Sequence, residues 1–194
     1  MHNLTKHKKP PESYLRVTQV ISPYKDFSSI PQEVVLEASL RGEEVHRLAY
    51  LYANNILIEK PAEYVKNYFF SFKEWFDTYV EEVILSEERI SCDKLMLTGC
   101  PDLVVRIKGS KDLVLVDLKT PQVHCKTWRP QTAAYKMLLR DVLGVNCERR
   151  LVVMPRKDGS KAVVKEHLKH ELDEKIFMNL LSNYRFFHDT ISFS

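Results

Sequence analysis

The spacing of apolar residues predicts two long helices in the first 80 residues of the chain. In residues 31–55 apolar side chains recur every three or four positions, and Pro31 stands near the first predicted turn. Gly42 is a candidate break that would divide this stretch into two consecutive helices. The residues expected to face the core are Val45, Leu48, Ala49 and Tyr52.

The second predicted helix covers residues 61–80 and carries an aromatic stripe at the same spacing. The residues of this stripe are Tyr64, Tyr68, Phe72, Trp75, Phe76 and Tyr79. Such a stripe could stack nucleic-acid bases, but at helical spacing it is more typical of a face packed on a sheet. We therefore expect it to form hydrophobic core.

Short β-rich runs replace the helical pattern between residues 83 and 119. The predicted strands are residues 83–90, 94–98, 103–107, 113–119, 150–154 and 162–165. Gly109 and the Asp158-Gly159 pair predict hairpin turns between neighbouring strands. Two further helices are predicted, one over residues 130–143 that ends at Gly144 and one over residues 171–188.

This order of elements predicts an α/β (α+β) fold with a mixed central β-sheet flanked by helices. At 194 residues the chain is long enough to bury one self-sufficient core. We expect a single domain over residues 31–194. A basic segment over residues 1–30, with five Lys or Arg against two acids, would precede it.

The composition indicates a soluble globular protein, and we expect it in the cytoplasm of a bacterial or phage-infected cell. No apolar run reaches the roughly 18 to 20 residues that cross a bilayer, and residues 1–11 lack the apolar centre of a secretory signal. The four cysteines match neither a zinc nor a disulfide spacing, so we expect free thiols. No membrane partner is expected.

Charge is unevenly distributed along the chain although the net charge is only +3. Residues 59–93 carry four bases and nine acids, whereas residues 119–157 carry nine bases and two acids. The second segment is a candidate surface for a phosphate backbone. By itself it is more typical of a solvated face without a partner, and its position directly after the chemical motif described below is what favours a phosphate-binding role.

Candidate chemistry lies at the end of the apolar run Leu113-Val114-Leu115-Val116-Asp117-Leu118-Lys119. The two-residue period of a strand places Asp117 and Lys119 on one face. Charges at the end of a buried strand are costly to desolvate unless something pairs with them, such as each other, a metal ion or a phosphate. A structural Asp–Lys ion pair is the simplest explanation of this pattern.

A second acid changes that interpretation. Asp102 stands at the head of the preceding predicted strand, so a hairpin around Gly109 would bring Asp102 and Asp117 to the same end of the sheet. Two converging carboxylates repel each other, and a divalent cation relieves the repulsion. Oxygen ligands of this kind favour Mg²⁺ or Mn²⁺.

The full series of motifs resembles the RecB-like branch of the PD-(D/E)XK nuclease superfamily. The matching pieces are Arg41-Gly42-Glu43-Glu44-Val45-His46, Gly99-Cys100-Pro101-Asp102, Asp117-Leu118-Lys119-Thr120 and Gln131-Thr132-Ala133-Ala134-Tyr135. The resemblance spans residues 41–135 and implies a restriction-endonuclease-like core. It also implies a Mg²⁺- or Mn²⁺-dependent deoxyribonuclease, most typically an exonuclease, in DNA recombination, repair or replication.

The resemblance implies a role for each matching residue. Asp102, Asp117, the backbone carbonyl of Leu118 and His46 would bind the metal, and Lys119 would assist the attacking water. Gln131 and Tyr135 would position the DNA strand, although both could instead pack a helix on the sheet. Glu87 resembles an acidic position that the family often shows.

The chain lacks two features, the cysteines of an iron-sulfur cluster and a P-loop motif. The iron-sulfur members carry one cysteine before the nuclease core and three near the C-terminus, whereas this chain has none before Cys92 or after Cys147, so no cluster is expected. No P-loop motif is present. The expected partners are DNA ends or single strands, together with a helicase, a recombination protein or a second copy of the chain.

Two other functions remain open on the sequence. One is a catalytically inactive nuclease-like subunit that holds DNA for a partner. The other is an α/β protein with no nucleic-acid partner, in which Asp117 and Lys119 form a structural ion pair.

Overall fold

The computed structural model describes residues 11–121 and 123–188. The helices are α1 (Val17–Ile21), α2 (Gln32–Ala53), α3 (Glu63–Tyr79), α4 (Trp128–Leu143) and α5 (His170–His188). The strands are β1 (Leu15–Arg16), β2 (Val80–Ser86), β3 (Ile90–Cys92), β4 (Leu97–Gly99), β5 (Leu103–Ile107), β6 (Leu113–Leu118), β7 (Arg149–Met154) and β8 (Val163–Glu166). Short 3-10 turns follow α1 and β3.

The main sheet has the strand order β2-β5-β6-β7-β8. Only the β6–β7 pair is parallel, and the other neighbours are antiparallel. A parallel pair needs a crossover connection, which α4 provides between β6 and β7. The protein therefore has the predicted mixed sheet flanked by helices, in the α+β class.

Alternate residues of the central strands face two hydrophobic cores. On one face Val105 and Val114 pack with α2 and α3, and on the other Val104 and Leu115 pack with α1, α4 and α5. This alternation follows from the two-residue period of a strand whose two faces are both covered. The central strands are therefore buried on both sides.

The aromatic stripe of α3 forms core, as predicted, along most of its length. Tyr68, Phe72 and Trp75 are buried, whereas Tyr64 and Tyr79 at the ends of the helix are exposed. The preceding stretch was expected to form one helix or two divided at Gly42, and it forms one, because α2 is continuous. A Cβ atom at Gly42 would meet only Thr120 Oγ1, at an ordinary 3.7 Å.

The predicted strand over residues 83–90 differs from the observed structure. β2 begins at Val80, directly after α3, and ends at Ser86. Glu87 then adopts a left-handed backbone with φ of 46°, and Ile90 starts a strand of a different sheet. That smaller sheet has the order β1-β4-β3.

Part of the predicted basic segment belongs to the folded domain. β1 pairs in parallel with β4, and Val17, Val20 and Ile21 of α1 are buried in the second core. The predicted boundary at residue 30 therefore does not separate two folded units. Residues 1–10, which carry most of the segment's lysines, lie outside the described residues.

The cysteines and the helices have one further property each. All four cysteines are free thiols, as predicted. Over residues 11–121 and 123–188, no helix combines the length and the apolar character that a membrane crossing requires.

Candidate functional site

Asp102 and Asp117 lie at the same end of the main sheet. β5 and β6 are antiparallel, with Leu103 opposite Val116, so Asp102 at the head of β5 faces the end of β6. The Leu118 amide donates a 2.6 Å hydrogen bond to Oδ2 of Asp102. The N–H and C=O of one strand residue point to the same side, so the Leu118 carbonyl also faces Asp102.

Asp117 forms a buried ion pair with Lys119. Its Oδ2 atom lies 2.7 Å from Nζ of Lys119, and the two side chains are 1% and 16% exposed. Burial raises the pKa of Asp117, and the charge of Asp102 raises it further against the opposing charge of Lys119. The site thus favours a proton or an additional cation beside this carboxylate.

His46 approaches the other carboxylate from α2. Its Nδ1 atom lies 3.2 Å from Oδ1 of Asp102, and its side chain is 28% exposed. Burial disfavours the charge on Asp102, but the charge of His46 and the Leu118 amide hold the pKa of Asp102 below its ordinary value. The two carboxylates are therefore shifted in opposite directions by different neighbours.

Gln131 extends from α4 to Asp117, and Tyr135 of the same helix contacts Gln131. Gln131 Nε2 donates to Oδ1 of Asp117 at 3.3 Å and to the Tyr135 hydroxyl at 3.2 Å. Both side chains are buried, and Oε1 of Gln131 has no hydrogen-bond partner among the described residues. In this state the two residues brace Asp117, and one acceptor stays available.

Gly99 permits the close approach of α4. A Cβ atom there would lie 2.8 Å from Leu138 and 3.0 Å from Tyr135, closer than side chains tolerate. The tight packing places Tyr135 against the strand that leads to Asp102. The sequence marked this glycine only as part of the Gly-Cys-Pro-Asp motif.

Glu87 stands next to Asp102 in space. Its amide donates a 3.0 Å hydrogen bond to the Asp102 carbonyl, which requires the left-handed turn at this residue. Burial and the charge of Asp102 raise the pKa of the Glu87 carboxyl. Glu87 therefore belongs to the site, although no contact joins its carboxylate to Asp117.

These side chains meet in a cavity of about 1030 Å³. Its wall includes His46, Glu87, Asp102, Lys119, Gln131 and Tyr135. Asp117 is buried against Lys119 and Gln131, so it is reached through the cavity wall. Every predicted site side chain thus lines this cavity or contacts its wall.

The chemical types of the possible ligand atoms suit a hard divalent cation. The buried carboxylate of Asp117, the partly buried carboxylate of Asp102, an imidazole, a strand carbonyl and the unpartnered Gln131 oxygen are ligands that Mg²⁺ or Mn²⁺ accepts. Within residues 11–121 and 123–188, however, no three His, Cys, Asp or Glu side chains already stand close enough to hold a metal. Instead, Lys119 is paired with the Asp117 carboxylate and His46 with the Asp102 carboxylate. A metal ion would bind only by displacing these contacts.

The predicted phosphate-binding surface over residues 119–157 needs correction. Arg129 and Arg150 both bind Asp173 of α5, Arg140 binds Asp141 and Glu174, and Arg149 binds Glu166. Arg150 is completely buried. These four of the nine bases of the segment are therefore held in ion pairs, and three of the acids that hold them, Glu166, Asp173 and Glu174, follow the segment in the chain.

A different stretch of the chain reaches the site. Tyr24, Lys25 and Phe27 line the cavity beside Lys119, together with Arg16 of β1. The sequence pattern gave these residues no role beyond the basic composition of the first 30 residues. Only the packing of α1 under α4 brings them there.

Comparison with known proteins gives little further information. No family model and no curated protein matches the chain. Among solved structures the chain is similar to one described as SSO0001, with a TM-score of 0.47 and 13% identity over 95% of this chain and 80% of that chain.

Proposed function

We propose that this protein is a divalent-metal-dependent deoxyribonuclease of the RecB-like type. The observation that carries the proposal is the convergence of Asp102, Asp117 and Lys119 with His46 at the wall of one open cavity. A purely structural ion pair needs neither the second carboxylate nor an opening to solvent. The sites of hydrolytic enzymes commonly combine neighbouring carboxylates whose environments shift their pKa values apart.

In the proposed reaction, water attacks the phosphorus of a phosphodiester and the bond to one bridging oxygen breaks. A divalent cation held by Asp102, Asp117, His46 and the Leu118 carbonyl would activate water and offset phosphate charge. Lys119 holds an ammonium at the cavity wall, where it can orient the water or a phosphate oxygen. Gln131 and Tyr135 keep Asp117 in place.

A second candidate is a nuclease-like subunit that binds DNA without cutting it. The occupied carboxylates favour this alternative, because Lys119 and His46 already satisfy much of the charge that a metal would neutralise. Burying such pairs is costly unless they serve specificity or function. The two candidates differ in whether divalent metal binds and supports cleavage.

The decisive experiment is digestion of end-labelled DNA with Mg²⁺, with Mn²⁺ and with EDTA. We expect cleavage with either metal, none with EDTA, and none by the Asp117→Asn variant. Asp77→Asn is the matched control, because Asp77 also pairs with a lysine but on the exposed face of α3. DNA binding without metal-dependent cleavage would support the inactive subunit.

A further inference from the structure

Two histidines face each other outside the group formed by the carboxylates and Lys119. His124 precedes α4 and lines the cavity, and His167 follows β8. Their Nε2 atoms are 3.1 Å apart, and the rings meet nearly head-on, with centroids 5.4 Å apart and an interplanar angle of 84°. His124 is exposed, whereas only 5% of His167 is. One fixed imidazole and one accessible imidazole therefore point at each other.

The hydrogen bonds of Thr132 determine the tautomer of His167. A carbonyl oxygen can only accept, so the Thr132 hydroxyl donates its hydrogen to the Arg129 carbonyl, 3.1 Å away. The same hydroxyl must then accept from Nδ1 of His167 at 3.0 Å. Nδ1 of His167 therefore carries the ring proton, and its Nε2 presents a lone pair towards His124. Metal-binding histidines share this arrangement, in which one ring nitrogen donates to an oxygen and the other binds the ion.

Both rings are neutral near neutral pH, which is the form that binds metal ions. Burial, followed by the charges of Arg150 and His124, lowers the pKa of His167 to about 4. Burial, followed by the charges of Lys165 and Arg129, also lowers the pKa of His124. No proton has to leave either ring before an ion binds at pH 7.

The charges around the pair restrict the kind of metal ion. Arg129 and Arg150 share one acid, Asp173, and the exposed Lys165 adds a further positive charge. This surplus opposes every cation, and it disfavours Mg²⁺ most, because Mg²⁺ binds through carboxylates and water. Zn²⁺ and Cu²⁺ bind imidazole nitrogen strongly and so depend less on neighbouring acids.

The separation of the two Nε2 atoms is close to that of a metal site. Two nitrogens that each lie about 2.0–2.1 Å from a tetrahedral zinc ion are about 3.3 Å apart. The head-on alignment suits a hydrogen bond, so the exposed ring of His124 has to turn as the ion enters. Among the residues that the structure describes, no third His, Cys, Asp or Glu completes the set. Water from the cavity fills the remaining positions.

We propose that His124 and His167 form a binding site for a transition-metal ion of the zinc type. The bound ion ties the connection between β6 and α4, which begins at Lys119, to the residue that follows β8. The site is separate from the carboxylate centre, and it does not depend on nuclease activity.

The test is calorimetric titration of the metal-free full chain with Zn²⁺ at pH 7, for the wild type and for His124→Gln. The substitution removes an exposed imidazole, so the core is unchanged. Asp117→Asn disables the carboxylate centre and identifies zinc that binds there. His188→Gln is the matched control, because it removes an exposed imidazole at the end of α5.

We expect His124→Gln to bind zinc at least about tenfold more weakly than the wild type, since a ligand is lost. Asp117→Asn and His188→Gln should retain the site, and excess Mg²⁺ should not compete for it. The proposal is wrong if the wild type binds no zinc, if His124→Gln keeps the wild-type affinity, or if Asp117→Asn abolishes binding.

The thiol of Cys125 is the alternative ligand that the titration has to separate from the histidines. Its Sγ atom lies 3.0 Å from Thr127 Oγ1, and the side chain packs against the cluster around Trp128. Cys125→Ser should therefore keep the zinc affinity, and His167→Gln, verified as folded by thermal unfolding, should lose it. A loss in Cys125→Ser as large as that in His167→Gln would place the ion on the thiol and overturn the proposal.

Discussion

The amide of Leu118 donates a 2.6 Å hydrogen bond to the carboxylate of Asp102, joining the end of β6 to the head of β5. Asp117 and Lys119 flank Leu118, and their side chains share the face of the strand opposite to the Leu118 side chain. One short bond therefore fixes the position of Asp102 relative to both. It makes the three residues a unit in which changes at one should affect the others.

Replacing Asp117 by Asn should abolish cleavage, with a loss of at least about a hundredfold. Asn keeps the shape of the side chain and its contact with Gln131 but removes the charge that would bind a metal. Lys119→Met should lose activity to a similar degree. Rates on end-labelled DNA test both variants, and wild-type rates in either would disprove the assignment.

His46→Ala should raise the Mg²⁺ concentration needed for cleavage and leave the folded protein nearly as stable as before. The reason is that His46 is partly exposed at the cavity and contacts Asp102. Arg47→Ala, the exposed next residue of α2, serves as the control. Metal titration and thermal unfolding on the same variant decide the matter: a destabilised enzyme with an unchanged Mg²⁺ requirement would show that His46 only packs.

The salt dependence of DNA binding should come from a few basic residues and not from all nine of the segment over residues 119–157. Lys126→Gln should reduce the slope of log affinity against log salt by about 0.7, as expected for one lost phosphate contact on a single strand. Arg140→Gln should leave the slope unchanged, because Asp141 and Glu174 already bind this guanidinium. If both substitutions reduced the slope equally, the assignment of a phosphate contact to Lys126 and not to Arg140 would be wrong.

Stability should fall as the pH drops from about 6.5 to about 4 because of His167. This ring is buried, with Nδ1 3.0 Å from the Thr132 hydroxyl and Nε2 3.1 Å from His124. Burial, Arg150 and His124 lower the pKa of His167 to about 4. The unfolded chain therefore binds the proton first, and acid favours unfolding in that window.

We expect His167 to account for a loss of about 2 kcal/mol in the free energy of unfolding over this pH range. The loss is smaller than the full pKa shift implies, because solvent screens part of the effect. Urea unfolding of wild type and His167→Gln at pH 7 and pH 4.5 measures it as the difference in pH dependence. His188→Gln, at an exposed ring of α5, provides the comparison. Identical pH dependence of wild type and His167→Gln would show that another group controls acid unfolding.

The sequence by itself determined the order of the main elements and the local geometry of β6. Apolar periods of two and 3.6 residues identified the main helices and strands, because these periods follow from backbone geometry alone. They also placed Asp117 and Lys119 on one face. The hairpin turn at Gly109, with φ of 75°, was sufficient to bring Asp102 to the same end.

Only the tertiary structure decided which distant residues join that unit. His46 reaches Asp102 because α2 packs across the sheet, and Lys25 lies near Lys119 in the cavity wall because α1 packs beneath α4. The same packing places Arg129 and Arg150 in ion pairs with Asp173, so neither belongs to the DNA-binding surface that the sequence predicted. Such contacts form because apolar faces far apart in the chain are buried against one another. This burial produces no periodic sequence pattern near the polar residues that it brings together.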